Sequence, residues 1–183
     1  MDPFLRASPT IDHDDPAVRA LAAELRAGDP VETARRAYEW VRDHIRHTGD
    51  HPSDDITCAA SEVLRAGTGF CYAKSHLLAA LLRANGIPAA LAYQRIPSED
   101  RFALHGLVAC QLPTFGWYLC DPRGNRDGID ARFTPPEERL AFTGPEVVRV
   151  PGLFPDPLPA VTDALRAHRT FAAISAHFPD WTG

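Results

Sequence analysis

Apolar residues recur at spacings of three and four along two early stretches of the chain. Val18, Leu21 and Leu25 share one face of PAVRALAAELRAG. Val31, Ala34, Tyr38, Val41 and Ile45 form a stripe through DPVETARRAYEWVRDHIRH. This spacing predicts two amphipathic helices. The second has clear start signals: Asp29 as N-cap, Pro30 at the first helical position, and Glu32 in a capping-box-like place. A shorter helix is expected in CAASEVLRAG, stopped by Gly67. The stretch GTGFCYAKSHLLAALLRANGIPA then predicts a helix from Cys71 to Asn85, with Gly86 as its C-terminal cap and Pro88 barring continuation.

Beyond Pro88 the period changes. AALAYQRI, FALHGLVACQL and GWYLCDP are short and apolar or alternating, which predicts strands, the last two joined as a hairpin through Pro113 to Phe115. RGNRDGID is a turn cluster, TPPEERLAF reads as a proline-led short helix, and VPGLFPDPLPA as a connector. A final helix over about residues 160–177 offers Val161, Leu165, Ala172 and Phe178 for docking. Helices first and strands second predict an α+β fold with an antiparallel sheet. One domain is expected over residues 1–183, with a proline-rich extension over 124–183 covering the core.

Composition narrows the function. With 45% hydrophobic and 23% charged residues the chain is of globular type, and a net charge of −5 with no basic run argues against a nucleic-acid partner. No apolar run reaches the roughly 18 residues of a membrane span. The acidic opening MDPFLRASPTIDHDDP lacks the features of a secretory signal. Cys58, Cys71, Cys110 and Cys120 form no C-x-x-C pair, so reduced thiols and a cytoplasmic location are expected. His44, His47 and His51 fall with Asp50, Asp54 and Asp55 in a polar loop, read as a solvated face rather than a metal site. No cofactor is implied.

Cys71 is the residue with chemical promise. A thiol at a helix start faces unpaired backbone N–H groups and the positive end of the macrodipole, both of which favour a thiolate. By position alone a buried structural cysteine is the commoner outcome, so partners must be found. His105 lies within FALHGLVACQL and Asp121 ends GWYLCDP. Both share a sheet face only if the hairpin connection has an odd number of residues. Pro113 to Phe115 supplies three, which sets Asp121 opposite Leu107 and diagonal to His105. His76, Cys58, Cys110 and Cys120 read as packing residues. Trp40 and Tyr72 are candidates to line a cleft, and Arg123 to pair with Asp121.

GTGFCYAKSHLLAALLRANGIPA, followed by His105 on one strand and WYLCDP on the next, resembles the bacterial transglutaminase-like superfamily over about residues 31–123. The resemblance implies a papain-like cysteine-protease core with Cys71 as nucleophile, His105 as general base and acid, and Asp121 as the orienting carboxylate. It implies acyl transfer through a thioester on a peptide, protein or small amide. Hydrolysis is expected rather than protein crosslinking, because no extra domains of the large animal enzymes are present. His105-Gly106 departs from the alanine–tryptophan pair that often follows the family's histidine, which touches substrate recognition. Two alternatives stay open: an acyl-CoA-dependent amine acetyltransferase, and a peptide-binding module without turnover.

Overall fold

Three helices, α1 (Pro16–Leu25), α2 (Pro30–His44) and α3 (Ala60–Ala66), pack around a fourth, α4 (Cys71–Ala84). The computed structural model describes residues 2–98 and 101–181. Every residue of α4 from Cys71 to Arg83 is buried, because helices cover one side and the sheet the other. Leu77, Leu78, Leu81 and Leu82 are wholly enclosed, each contributing about 1.5–3 kcal/mol of apolar burial. Three of the polar side chains that α4 buries reach backbone carbonyls, while the Ser75 hydroxyl and His76 Nε2 find no partner among the described residues. Lys74 Nζ donates to the Arg42 and Ile45 carbonyls, His76 Nδ1 lies 2.7 Å from the Cys58 carbonyl, and Arg83 donates to those of Arg6, Ala89 and Pro155.

The boundaries follow the chemistry of the sequence. Asp29 caps α2 through the Glu32 N–H at 2.9 Å. The other half of the expected box is missing, since Glu32 gives its carboxylate to Arg35 and Arg36. A glutamate does serve a helix start at α3, where Glu62 accepts from the N–H groups of Cys58 and Ala59. At the end of α4, Gly86 takes φ +75° and the Ile87 N–H returns to the Leu82 carbonyl at 3.0 Å.

Strands β1 (Arg46–His47) and β2 (Thr68–Gly69) form a parallel pair that sets His47 beside Gly69. The main sheet is antiparallel: β3 (Ala89–Ser98), β4 (Arg101–Leu112), β5 (Gly116–Cys120) and, after a separate hairpin of β6 (Arg132–Thr134) and β7 (Glu137–Arg139), the short β8 (Val148–Arg149), in the order β5-β4-β3-β8. The β4–β5 register pairs Leu112 with Gly116 and Val108 with Cys120, as the three-residue turn requires. One sheet face joins the α4 core through Leu91, Val108 and Cys110. The other carries Ala90, Ala92, Leu107, Ala109 and Leu119 beneath Leu140, Phe4 and Leu153.

The chain beyond residue 123 departs from expectation. TPPEERLAF forms the β6–β7 hairpin rather than a helix, tied across its turn by the Thr134 hydroxyl donating to the Glu137 carbonyl. The connector supplies β8 and a bridge between Phe154 and Leu91. The final helix is two, α5 (Pro159–Ala167) and α6 (Phe171–Ser175), because His168 turns extended and Thr170 begins a new N-cap on the Ala173 N–H. Val161, Leu165 and Phe178 dock as expected, Phe178 from beyond both helices, whereas Ala172 is exposed.

Candidate active site

Cys71 is the first residue of α4, and its sulfur accepts from the Gly106 N–H at 3.4 Å. That approach needs a glycine: a Cβ at position 106 would lie 2.9 Å from the Tyr72 Cα. The residue that departs from the family pattern is therefore the one that lets the helix start abut the strand. Among the described residues nothing accepts from the Cys71 N–H, which as a first-turn donor is left free for a ligand.

His105 and Asp121 lie on the same sheet face, diagonal to one another, and His105 Nε2 meets Asp121 Oδ2 at 2.7 Å. Both are buried, at 2% and 0% exposure. Asp121 is further fixed by the N–H groups of Arg123 at 3.1 Å and Ala141 at 3.0 Å. Burial opposes a charge on Asp121, but the His105 charge and these hydrogen bonds overrule it and hold its pKa below the usual carboxylate value. Burial likewise opposes a charge on His105. The Asp121 carboxylate and the Cys71 sulfur, through charge and hydrogen bonding, win, and its pKa is pushed up to about 10. Nε2 is engaged by the carboxylate, which leaves Nδ1 as the ring nitrogen available to a second partner.

Cys71 and His105 open on one cavity of about 150 Å³, shared with His47, Tyr72, Arg123, Phe142 and Phe178. The loop histidines do not all form a solvated face. His44 and His51 are exposed, but the β1–β2 pair draws His47 into the cavity wall, where its side chain is 10% exposed. Asp50 turns inward as well and grips the Arg123 guanidinium at 2.7 and 2.8 Å. Arg123 thus touches Asp121 only through its backbone N–H, not as the expected ion pair. Trp40 stacks on His44 outside the cavity, while Tyr72 lines it.

The proton position on His47 can be read from its neighbours. Nδ1 accepts from the Gly49 N–H at 3.2 Å, so a neutral ring carries its hydrogen on Nε2. Burial, then the positive charges of Arg123, Lys74 and His105, hold its pKa well below the ordinary histidine value and keep the ring neutral. No partner holds Nε2 among the described residues, which leaves one N–H donor in the cavity wall.

Three contributors escaped the sequence reading. His47 lies on the two-residue strand β1, too short to show a period, and Phe142, edge-on to His105 at 4.8 Å, comes from the extension. Neither carries a local signal. Lys74 does: it is a lysine one turn past Cys71 in a mostly apolar helix. Burial and Arg123 push its pKa down to about 7. Among the described residues no His, Cys, Asp and Glu side chains gather to hold a metal ion. No helix there is long and apolar enough to cross a membrane.

A sequence model described as the Transglutaminase-like superfamily matches residues 19–122. Among solved structures, one from Cytophaga hutchinsonii, proposed to be a cysteine protease, aligns with a TM-score of 0.54 at 18% identity, over 66% of this chain and 41% of that one. The periplasmic domain of TgpA from Pseudomonas aeruginosa aligns with a TM-score of 0.50 at 24% identity, over 67% of this chain and 48% of that one. The ethylmercury-bound form of the same domain aligns equally well, at 0.50 and 24%. At these identities the likeness is one of fold, and the chain spans less than half the length of each. No curated protein sequence matches it.

Proposed function

The chain belongs to the transglutaminase-like superfamily, and from that premise we propose that it is a cysteine enzyme that transfers an acyl group through a thioester, hydrolysing an amide or peptide bond. The observation that carries this reading is the buried 2.7 Å bond between His105 and Asp121, on a ring that shares its cavity with the Cys71 sulfur. Cys71 thiolate attacks the carbonyl carbon of the donor, and the carbonyl π pair moves onto oxygen. Collapse of that intermediate breaks the C–N bond, and the amine leaves with the proton of the His105 imidazolium. Neutral His105 then takes a proton from water, whose oxygen attacks the thioester and expels Cys71 as thiolate.

Charge on the tetrahedral oxygen needs two donors. The Cys71 N–H at the start of α4 is the first, and the Nε2–H of His47 is the second. Four unpaired cysteines support a reducing compartment, the cytoplasm.

Cys71→Ala is expected to abolish turnover of amide or ester donors without loss of the fold. Before a donor is known, the pH profile of iodoacetamide alkylation tests the site, with mass spectrometry assigning the thiol. Cys71 should be the most reactive of the four thiols at neutral pH, and His105→Ala should slow it. An unchanged rate in that variant would remove the imidazole from the mechanism.

A further inference from the structure

The cavity over Cys71 is small. At about 150 Å³ it falls short of the roughly 300–1,000 Å³ of ordinary ligand pockets, and Cys71 is only 7% exposed. An acyl donor of peptide size reaches the sulfur only if part of the wall gives way. Besides the sheet and α4, the wall takes in His47, Phe70, Arg123, Phe142 and, from the extended segment after α6, Phe178.

That segment lies against a free strand edge. β5 pairs with β4 only from Val108 to Leu112, so the first half of β4 has no strand on that side among the described residues. There the Leu104 N–H, one residue before His105, donates to the Pro179 carbonyl at 2.7 Å. Phe178 turns into the cavity and meets Phe70 edge-on at 5.3 Å. Two residues on, Asp180 takes both Nε and Nη2 of Arg95, at 2.7 and 2.8 Å. Arg95 is the cross-strand partner of Leu104 and is itself steadied over the Phe102 ring at 3.8 Å. A main-chain donor on a strand edge, an apolar pocket and a cation at fixed spacing are the parts by which a strand edge captures an extended peptide.

We propose that the β4 edge at Leu104, the Phe70 side of the cavity and Arg95 form a peptide-binding groove for an extended segment with a large apolar side chain and a carboxylate two residues on, and that residues 178–181 occupy this groove in cis. This deepens the reading of Cys71 as an acyl-transfer nucleophile by naming its donor class. The occupant is held by one backbone bond, the packing of Phe178 and a part-exposed Arg95–Asp180 pair, contacts that a second peptide can reproduce one for one. It can therefore be displaced by a peptide of the same pattern.

The test uses the full chain. Iodoacetamide labelling of Cys71 is followed in the wild type, in Asp180→Ala and in Phe178→Ala/Asp180→Ala, with and without the acetylated, amidated peptide His-Phe-Pro-Asp-Trp. Release of the segment should speed labelling of Cys71 roughly ten-fold in the double variant and by less in Asp180→Ala. The peptide should restore protection, and its Phe→Ala form should not. Arg95→Ala should bind the peptide and its Asp→Ala form alike, as read by tryptophan anisotropy. Equal labelling in all three proteins, or protection that ignores the phenylalanine, overturns the groove. Asp180→Ala leaves the apolar contacts of the segment in place, so the comparison stands even where the double variant is less stable. If the opened thiol reacts no faster than a free thiol yet the peptide still protects it, the groove holds and the acyl-transfer reading falls.

Discussion

His47 and His105 line one cavity, yet burial acts on them with opposite results. His105 has a carboxylate at 2.7 Å and keeps its proton; His47 has Arg123, Lys74 and His105 around it and does not. The charged ring suits protonation of a leaving amine, and the neutral one suits donation to an oxyanion without itself titrating. His47→Ala should therefore lower kcat on an amide or ester donor by roughly 10²–10³ with little change in KM. Iodoacetamide alkylation of Cys71, which forms no oxyanion, should keep its rate. His47→Gln, which retains an N–H, should recover part of the loss, and a fall in alkylation equal to the fall in kcat would show that His47 only shapes the thiol. His105 and Asp121 could be found in the sequence because strand alternation and a three-residue turn fix which side chains share a face. His47 could not, because its place depends on a two-residue parallel pairing that leaves no periodic trace.

At the scale of elements, the site depends on how closely the start of α4 meets β4. The contact runs through Gly106, where Tyr72 backbone occupies the space of a side chain. Gly106→Ala should cost about 1–3 kcal/mol of stability by overpacking. It should also push Cys71 off the Gly106 N–H, so that activity falls further than the melting temperature alone would explain. Thermal melts compared with Cys71 alkylation rates check this, and an active, fully stable variant would show that the helix has room to spare. The helices and the three main strands were legible because each carries its own period, caps and stops. The extension was not. Pro135 and Pro136 read as a helix start, but they form the turn of a hairpin whose Tyr118 contacts lie far off in sequence. Likewise a single late helix was expected where Thr170 starts a second one, and Phe178, docked at the edge of the core, also lines the cleft.

At the scale of the whole molecule, the buried site leaves its mark on how stability changes with pH. On the acid side, burial pushes the His76 pKa down to about 4. As pH falls from the unfolded value near 6.5 towards 4, the unfolded chain takes a proton that the native state refuses, and stability declines. On the alkaline side two groups oppose each other. The native state holds a proton on His105 up to about 10 that an unfolded histidine releases near 6.5, so its contribution is complete below 6.5 and is lost as pH rises towards 10. Lys74 does the reverse: it loses its proton near 7 in the native state but only near 10.4 in the unfolded chain, so its cost shrinks over the same interval. One proton in each direction cancels, and wild-type stability should be nearly flat between about pH 7 and 8, below the range in which unfolded cysteines release protons that native Cys58 and Cys120 hold. Lys74→Met lifts the compensation. Its stability starts lower, because the Arg42 and Ile45 carbonyls lose their donor, but the slope is the diagnostic. Urea unfolding across that interval should show a loss of about 1.4 kcal/mol per pH unit in the variant and almost none in the wild type. A variant as flat as the wild type would mean that His105 holds no proton in the native state, and the imidazolium that the leaving amine depends on would be gone.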